Sequence, residues 1–167
     1  MSTPTQSYAA ISKVDKAIIS LLWNNIKEDP TFKGTVTSER QISLLSPKEV
    51  AESKTAIKLS VFLYQISEYA ALKNVAPSGK NQVSPLNLSL HYLFVPYTQN
   101  AELDHLLLDK ILKVFKDNPI LQSALPNQDL KISMESLSPA DLNNIWAIIL
   151  TPYKTALTYS VSAVAIE

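Results

Sequence analysis

Two histidines, His91 and His105, are the only side chains in these 167 residues that ordinarily titrate near neutral pH. His91 lies in a stretch of strict alternation and shares a face with Asn87 and Ser89, the setting of a hydrogen-bonded strand histidine. His105 and Asp109 stand one helical turn apart, which is metal-ligand spacing, but two ligands do not complete a site. Glu102 and Asp104 read as the solvated first turn of the same helix. The carboxylates Asp15, Glu28, Asp29, Glu39, Glu49 and Glu52 have no spacing that pairs them for glycoside-type acid–base work. Cysteine is absent, which excludes disulfides, thiolate nucleophiles and Cys-type zinc sites. Two glycines cannot build a phosphate-cradling loop, and no serine stands in a nucleophile-elbow context. Trp23 and Trp146 fall on apolar helical stripes, where packing is their expected role. Tyr64, Tyr69, Tyr92, Tyr97, Tyr153 and Tyr159 sit mostly at strand ends or faces, suited equally to core packing and to anchoring an interface. The expectation is a chain that is not an enzyme, with no catalytic, cofactor-binding or metal-binding residue.

Such side chains would have to be held by the elements around them. Fifteen basic residues balance fifteen acidic ones, so the chain lacks the net positive charge of a nucleic-acid binder. Near-zero net charge also lowers the barrier to packing against other protein surfaces. With 46% apolar and 18% charged residues, the composition is that of a globular chain, and residues 1–167 are read as one domain. The start, Met1-Ser-Thr-Pro-Thr-Gln-Ser7, lacks a signal peptide's basic and apolar regions, and no apolar run reaches the ~20 residues that span a bilayer. Synthesis in the cytoplasm without export, and no contact with membrane, are the expectations.

Helical periodicity predicts a first helix from Ser7, as N-cap, to about Asn25, with Ile11, Val14, Ile18, Leu21 and Leu22 on one stripe. A short strand is expected at 41–45, stopped by Ser46-Pro47, then a charged loop over 48–54. A longer strand follows over 55–68, where Ile57, Leu59, Val61 and Leu63 alternate with Lys58, Ser60, Phe62 and Tyr64. Residues 69–84 read as a long loop with a Pro77-Ser-Gly-Lys tip. From Pro85 to Pro96, Leu86, Leu88, Leu90, Tyr92 and Phe94 share one face; the other changes from Asn87, Ser89 and His91 to Leu93 and Val95, as in a strand that becomes buried on both sides. A helix over 100–117 carries Leu103, Leu107, Ile111 and Val114, flanked by Leu106, Leu108, Leu112 and Phe115. Leu130, Ile132 and Met134 form another strand. Ser138-Pro139-Ala140-Asp141 starts a helix buried through Leu142, Ile145, Trp146 and Ile149, which Thr151-Pro152 stops. The last strand spans 157–166. This order, α-β-β-β-α-β-α-β, predicts an α+β fold: a mixed sheet of about five strands packed with three helices, the last two acting as right-handed crossovers.

Four segments resemble, in order and spacing, the N-terminal domain of the cap, or tail-terminator, proteins of phage-tail-like contractile injection systems of the virulence-cassette and antifeeding-prophage type. They are Val61-Phe-Leu-Tyr-Gln-Ile66, Pro85-Leu-Asn-Leu-Ser-Leu-His-Tyr-Leu93, Leu106 through Pro119 to Leu121, and Met134 through Trp146, continuing by Pro152-Tyr153 to Tyr159-Ser-Val161. The resemblance as a whole runs from about Ile11 to the end. The resemblance implies a phage tail-terminator-like fold in which Leu90, Tyr92, Leu107, Ile111, Pro119, Leu142, Trp146 and Tyr159 are core positions. It implies a structural role without cofactors: a homohexameric ring on the distal end of inner tube and sheath that stops both from growing. A growing end presents unpaired strand edges and apolar patches, and a terminator matches that end while offering nothing equivalent above. The implied partners are other copies of the chain and the tube and sheath proteins, first in the cytoplasm and then in the assembled particle. Longer members carry a further segment beyond the point where this sequence reads Ile166-Glu167.

The long loop, with Tyr69, Lys73, Val75, Pro77, Gly79 and Lys80, is the candidate interface, since a long loop stands out in an otherwise compact chain. Lys73 and Lys80 read equally as solvated. The alternatives are a small ligand-binding or hydrolytic α/β domain using His91 or His105, and an adaptor that joins particle components without closing a ring.

Overall fold

The computed structural model describes residues 8–72 and 85–166. Helix α1 (Ala10–Ile26) buries Val14, Ile18, Leu22 and Ile26, one residue per turn. The expected N-cap, Ser7, lies outside the described residues. Phe32 and Val36 carry the core onward past the helix end.

A short 3-10 turn, Glu39–Gln41, leads into β1 (Ile42–Ser43). Ser46-Pro47 does not open a charged loop as expected; it starts a short helix, α2 (Pro47–Glu52). The Glu49 N–H donates to Ser46 Oγ at 3.3 Å and the Ser46 N–H donates to the Glu49 carboxylate at 2.8 Å. This reciprocal pair satisfies two of the helix's orphan donors, with proline preorganised at its first position. Strand β2 (Leu59–Glu68) begins later than the sequence reading placed it.

Strand β3 (Leu86–Pro96) is followed by α3 (Ala101–Asp117), whose first turn is capped by Asn100 accepting the Leu103 N–H at 3.1 Å. Strands β4 (Ile120–Leu125) and β5 (Gln128–Met134) form a hairpin whose turn holds Asn127 at φ 56°, a conformation asparagine tolerates. Helix α4 (Pro139–Ile149) and β6 (Leu157–Ile166) complete the chain.

The six strands form one mixed sheet in the order β1-β2-β3-β6-β5-β4. Only β1 and β2 run parallel; every other neighbouring pair is antiparallel. The described residues thus hold six strands and four helices rather than about five and three. The expected crossovers are also corrected. Helix α4 joins β5 to its antiparallel neighbour β6, and α3 carries the chain from β3 to the far edge of the sheet.

One face of the sheet packs against α1 and α3 through Leu90, Tyr92 and Phe94 of β3, with Val61, Leu130 and Val161 from its neighbours. Phe94, Phe115 and Tyr159 meet edge to face with centroids 4.8–5.8 Å apart. The opposite face has a smaller core: Leu93 and Val95 against Trp146 and Ile149 of α4. β3 is therefore covered on both sides only in its C-terminal half, as its change of composition implied.

Candidate functional site: the half-open face of the sheet

α4 caps the C-terminal half of β3 and leaves the other half of that face to polar side chains. Ser67 near the end of β2, His91 of β3 and Glu135 just past β5 meet there. Ser67 Oγ lies 2.8 Å from His91 Nε2, and His91 Nδ1 lies 2.8 Å from Glu135 Oε1. The Tyr64 hydroxyl donates to the other carboxylate oxygen at 3.2 Å. Glu135 itself is pinned by its backbone: its N–H donates to the Thr158 carbonyl, and its carbonyl accepts the Thr158 hydroxyl, both at 2.8 Å. An ionised carboxylate only accepts, so Nδ1 of His91 must donate; in neutral imidazole Nε2 then accepts, and the Ser67 hydroxyl is the donor. Burial, with the Glu135 charge adding to it, pushes the Tyr64 phenol far above its ordinary value, so it stays a donor. His91 and Glu135 side chains keep 16% and 23% of their exposure, so the chain of groups is sheltered yet reachable.

Beside this network a groove of about 740 Å³ runs between β2 and α4. Its walls include Phe62, Tyr64, Gln65, Leu137, Ile145 and Ile148. Tyr64 and Gln65 stand at its junction with the network: Tyr64 bonds Glu135, and Gln65 is the cross-strand partner of His91. The outer end of α4 adds exposed apolar surface, with Ile148 80%, Leu150 71% and Tyr153 62% exposed. Leu150 ends the helix at φ 60°, ψ 43°, a left-handed conformation usually left to glycine. Tyr153 packs edge-on against Trp146 with centroids 5.5 Å apart.

A second polar cluster locks this end of the fold. Asp104 of α3 accepts the Thr98 N–H at 2.8 Å and hydroxyl at 2.6 Å, and the Lys154 ammonium at 2.5 Å. Lys154 also donates to the Pro96 carbonyl and sits 4.8 Å from the centre of the Tyr97 ring. Asp104 is therefore buried and paired, not solvated as its first-turn position suggested.

Of the candidate interface residues, Tyr69 is half-buried beyond β2, its N–H bonded to the Asn87 carbonyl at 2.8 Å. Lys73, Val75, Pro77, Gly79 and Lys80 lie outside the described residues. Among the expected core positions, Leu90, Tyr92, Leu107, Ile111, Trp146 and Tyr159 are buried. Leu142 is only half-buried and joins neither core. Pro119 is exposed: it links α3 to β4, and only its carbonyl is engaged, by the Ile132 N–H at 3.0 Å. His105 and Asp109 are both exposed, and the described residues hold no cluster of three metal-ligating side chains. No helix among them is long and apolar enough to cross a membrane.

Sequence reasoning did not single out Ser67, Glu135, Ile148 or Leu150. The run Ile145-Trp-Ala-Ile-Ile-Leu150 carried the signal for the last two, since it holds more apolar residues than one buried stripe uses.

A half-covered mixed sheet with exposed apolar side chains at the α4 end defines the class of this chain: an α+β module whose second face is only partly closed. A family model for the Pvc16 N-terminal domain matches residues 13–167, so the chain belongs to that family. The fold is similar, at TM-score 0.65 and 18% identity, to the PVC sheath/tube terminator of an extracellular contractile injection system in its extended state; the match covers 100% of this chain and 58% of that one. It is similar also to the anti-feeding prophage tube-terminating cap, at TM-score 0.59 and 18% identity, over 92% of this chain and 54% of that one. This chain thus spans a little over half the length of the structures it matches. No curated protein matches it by sequence.

Proposed function

We propose that the chain is a terminator module that caps the tube and sheath of a contractile injection particle and ends their elongation. The observation that carries this reading is the fold likeness to a sheath/tube terminator over the whole of the chain. Balanced charge and exposed Ile148, Leu150 and Tyr153 support it, because they favour packing against protein over nucleic acid. In this reading six copies close a ring through lateral contacts, and one side of the ring meets the last tube and sheath layer through a heterologous contact. The α4 end and the 69–84 segment supply part of those contacts. The role needs no cofactor or turnover, and the chain works as one unit in the assembled particle.

The test is to image particles made without this chain, with it, and with residues 75–83 deleted. Tails of uncontrolled length, or tails lacking a sheath, are expected in its absence, and uniform tails on restoring the intact chain. Uniform tails in its absence would overturn the reading. Native mass separates the ring from a non-ring adaptor: a six-fold species is expected, and a persistent monomer bound to particles favours the adaptor.

A further inference from the structure

We infer that Ser67, His91 and Glu135 form a serine acylation site, with the adjoining groove taking the apolar chain of an ester. The sheet brings a hydroxyl, an imidazole and a carboxylate into one hydrogen-bonded chain, with 2.8 Å at each joint. The order of the groups matters more than their presence. Glu135 fixes the imidazole tautomer through Nδ1, leaving Nε2 as a base aimed at the one hydroxyl that can lose a proton to it. Tyr64 holds the second carboxylate oxygen and also lines the groove, so the orienting group and the binding wall are one piece of structure. Ser67 and His91 are both half-buried, which shelters the reacting atoms while keeping them accessible.

The step balances without any cofactor. The Ser67 oxygen forms a bond to the ester carbonyl carbon as its proton passes to His91 Nε2, and the carbonyl π pair moves onto oxygen. That oxyanion collapses, the bond to the alcohol oxygen breaks, and the leaving alkoxide takes the proton from Nε2. Water then adds by the same path, releasing the carboxylic acid and restoring the serine hydroxyl. Within this proposal Gln65, opposite His91 in the sheet and part of the groove wall, supplies the amide donor to the oxyanion. The substrate class is an ester of an apolar acyl chain. The site lies on the sheet's half-open face, and its activity is independent of the capping role.

The probe is a fluorophosphonate with a ten-carbon chain, compared with diisopropyl fluorophosphate, each incubated with the purified chain and read by intact and fragment mass. The expected result is one adduct on Ser67, formed with loss of HF, faster for the long-chain reagent. Labelling should vanish in Ser67→Ala and slow by about 100-fold in His91→Gln, the lower range for loss of a positioned base. Glu135→Gln, which keeps the shape of the side chain, should slow it as well. Hydrolysis of p-nitrophenyl octanoate should fall in the same order, with unfolding curves checked for each variant. The proposal is overturned by no adduct on the folded chain, by adducts spread over several serines, or by Ser67 labelling that His91→Gln and Glu135→Gln leave unchanged. None of these outcomes bears on tail length.

Discussion

Asp15 and Asp104 are both carboxylates drawn out of water, and their surroundings push them in opposite directions. Burial raises Asp15 above the usual carboxylate range, more than the bond from the Tyr92 hydroxyl at 2.6 Å lowers it. Burial also opposes the charge of Asp104, but the bonds from Lys154 and Thr98 outweigh it and hold that carboxyl below the usual range. The linkage signs follow from these directions. Asp104 contributes stability that is present above the ordinary value of about 3.9 and lost as pH falls through its depressed one. Asp15 does the reverse: its ionisation costs stability as pH rises from about 3.9 through its raised value. Asp104→Asn is therefore expected to lose about 1–3 kcal/mol at pH 7, with the loss shrinking in acid. Asp15→Asn should be neutral or stabilising at pH 7 and should flatten the curve above the acid range. Urea unfolding from acid to neutral pH checks both, and a parallel response of the two variants would contradict the assignment. Neither role was legible in the sequence: Tyr92 is 77 positions from Asp15 and Lys154 is 50 from Asp104. Spacing along a helix reports a residue's face, and here the distant partner decides whether that face is wet.

Elements with their own periodicity and caps were readable, and elements specified by their partners were not. The bounds of β6 and the cap of α4 follow directly from alternation and from Ser138-Pro139. β4 escaped because Ile120, Leu121, Ala124 and Leu125 do not alternate; its pairing with β5 slips between Leu121 and Leu125, which breaks the period of two. α2 escaped because its charged residues read as a loop, although Ser46 and Glu49 stand at capping-box spacing. Crossovers were inferred from element order, which does not reveal that β4 and β5 pair as a hairpin and leave α4 between antiparallel neighbours. The half-open face has the same origin. Its polar half could be read from β3, but Ser67 and Glu135 reach His91 only through the register of the sheet. The cap on α4 carries an expectation of its own. The Asp141 N–H donates to Ser138 Oγ at 3.1 Å, and α4 supplies the helical part of the second core. Ser138→Ala should cost about 1 kcal/mol in urea unfolding. Amides of α4 should then exchange faster than those of α1 in hydrogen exchange, since α1 belongs to the larger core. Equal acceleration in both helices would show that the two cores open as one unit.

At the scale of the molecule, a net charge of zero and an apolar α4 end decide what kind of association the proposed capping role can use. Contacts made by Ile148, Leu150 and Tyr153 are driven by removing apolar surface from water, which salt screens little. Raising salt from about 0.1 M to about 1 M shortens the Debye length from about 10 Å to about 3 Å, enough to abolish most exposed ion pairing. The assembled state is therefore expected to persist over that range and to depend instead on the α4 end. Leu150 separates this contribution from folding. Its left-handed backbone is strained for leucine and its side chain is largely solvent-exposed, so Leu150→Gly relieves strain and gives up little packing. The folded chain should keep its stability or gain up to about 1 kcal/mol. Association, read as the mass distribution across a dilution series, should weaken, and Ile148→Asp should weaken it further by placing a charge in the contact. Association that resists both substitutions but collapses at high salt would move the contact away from α4 and onto charged side chains.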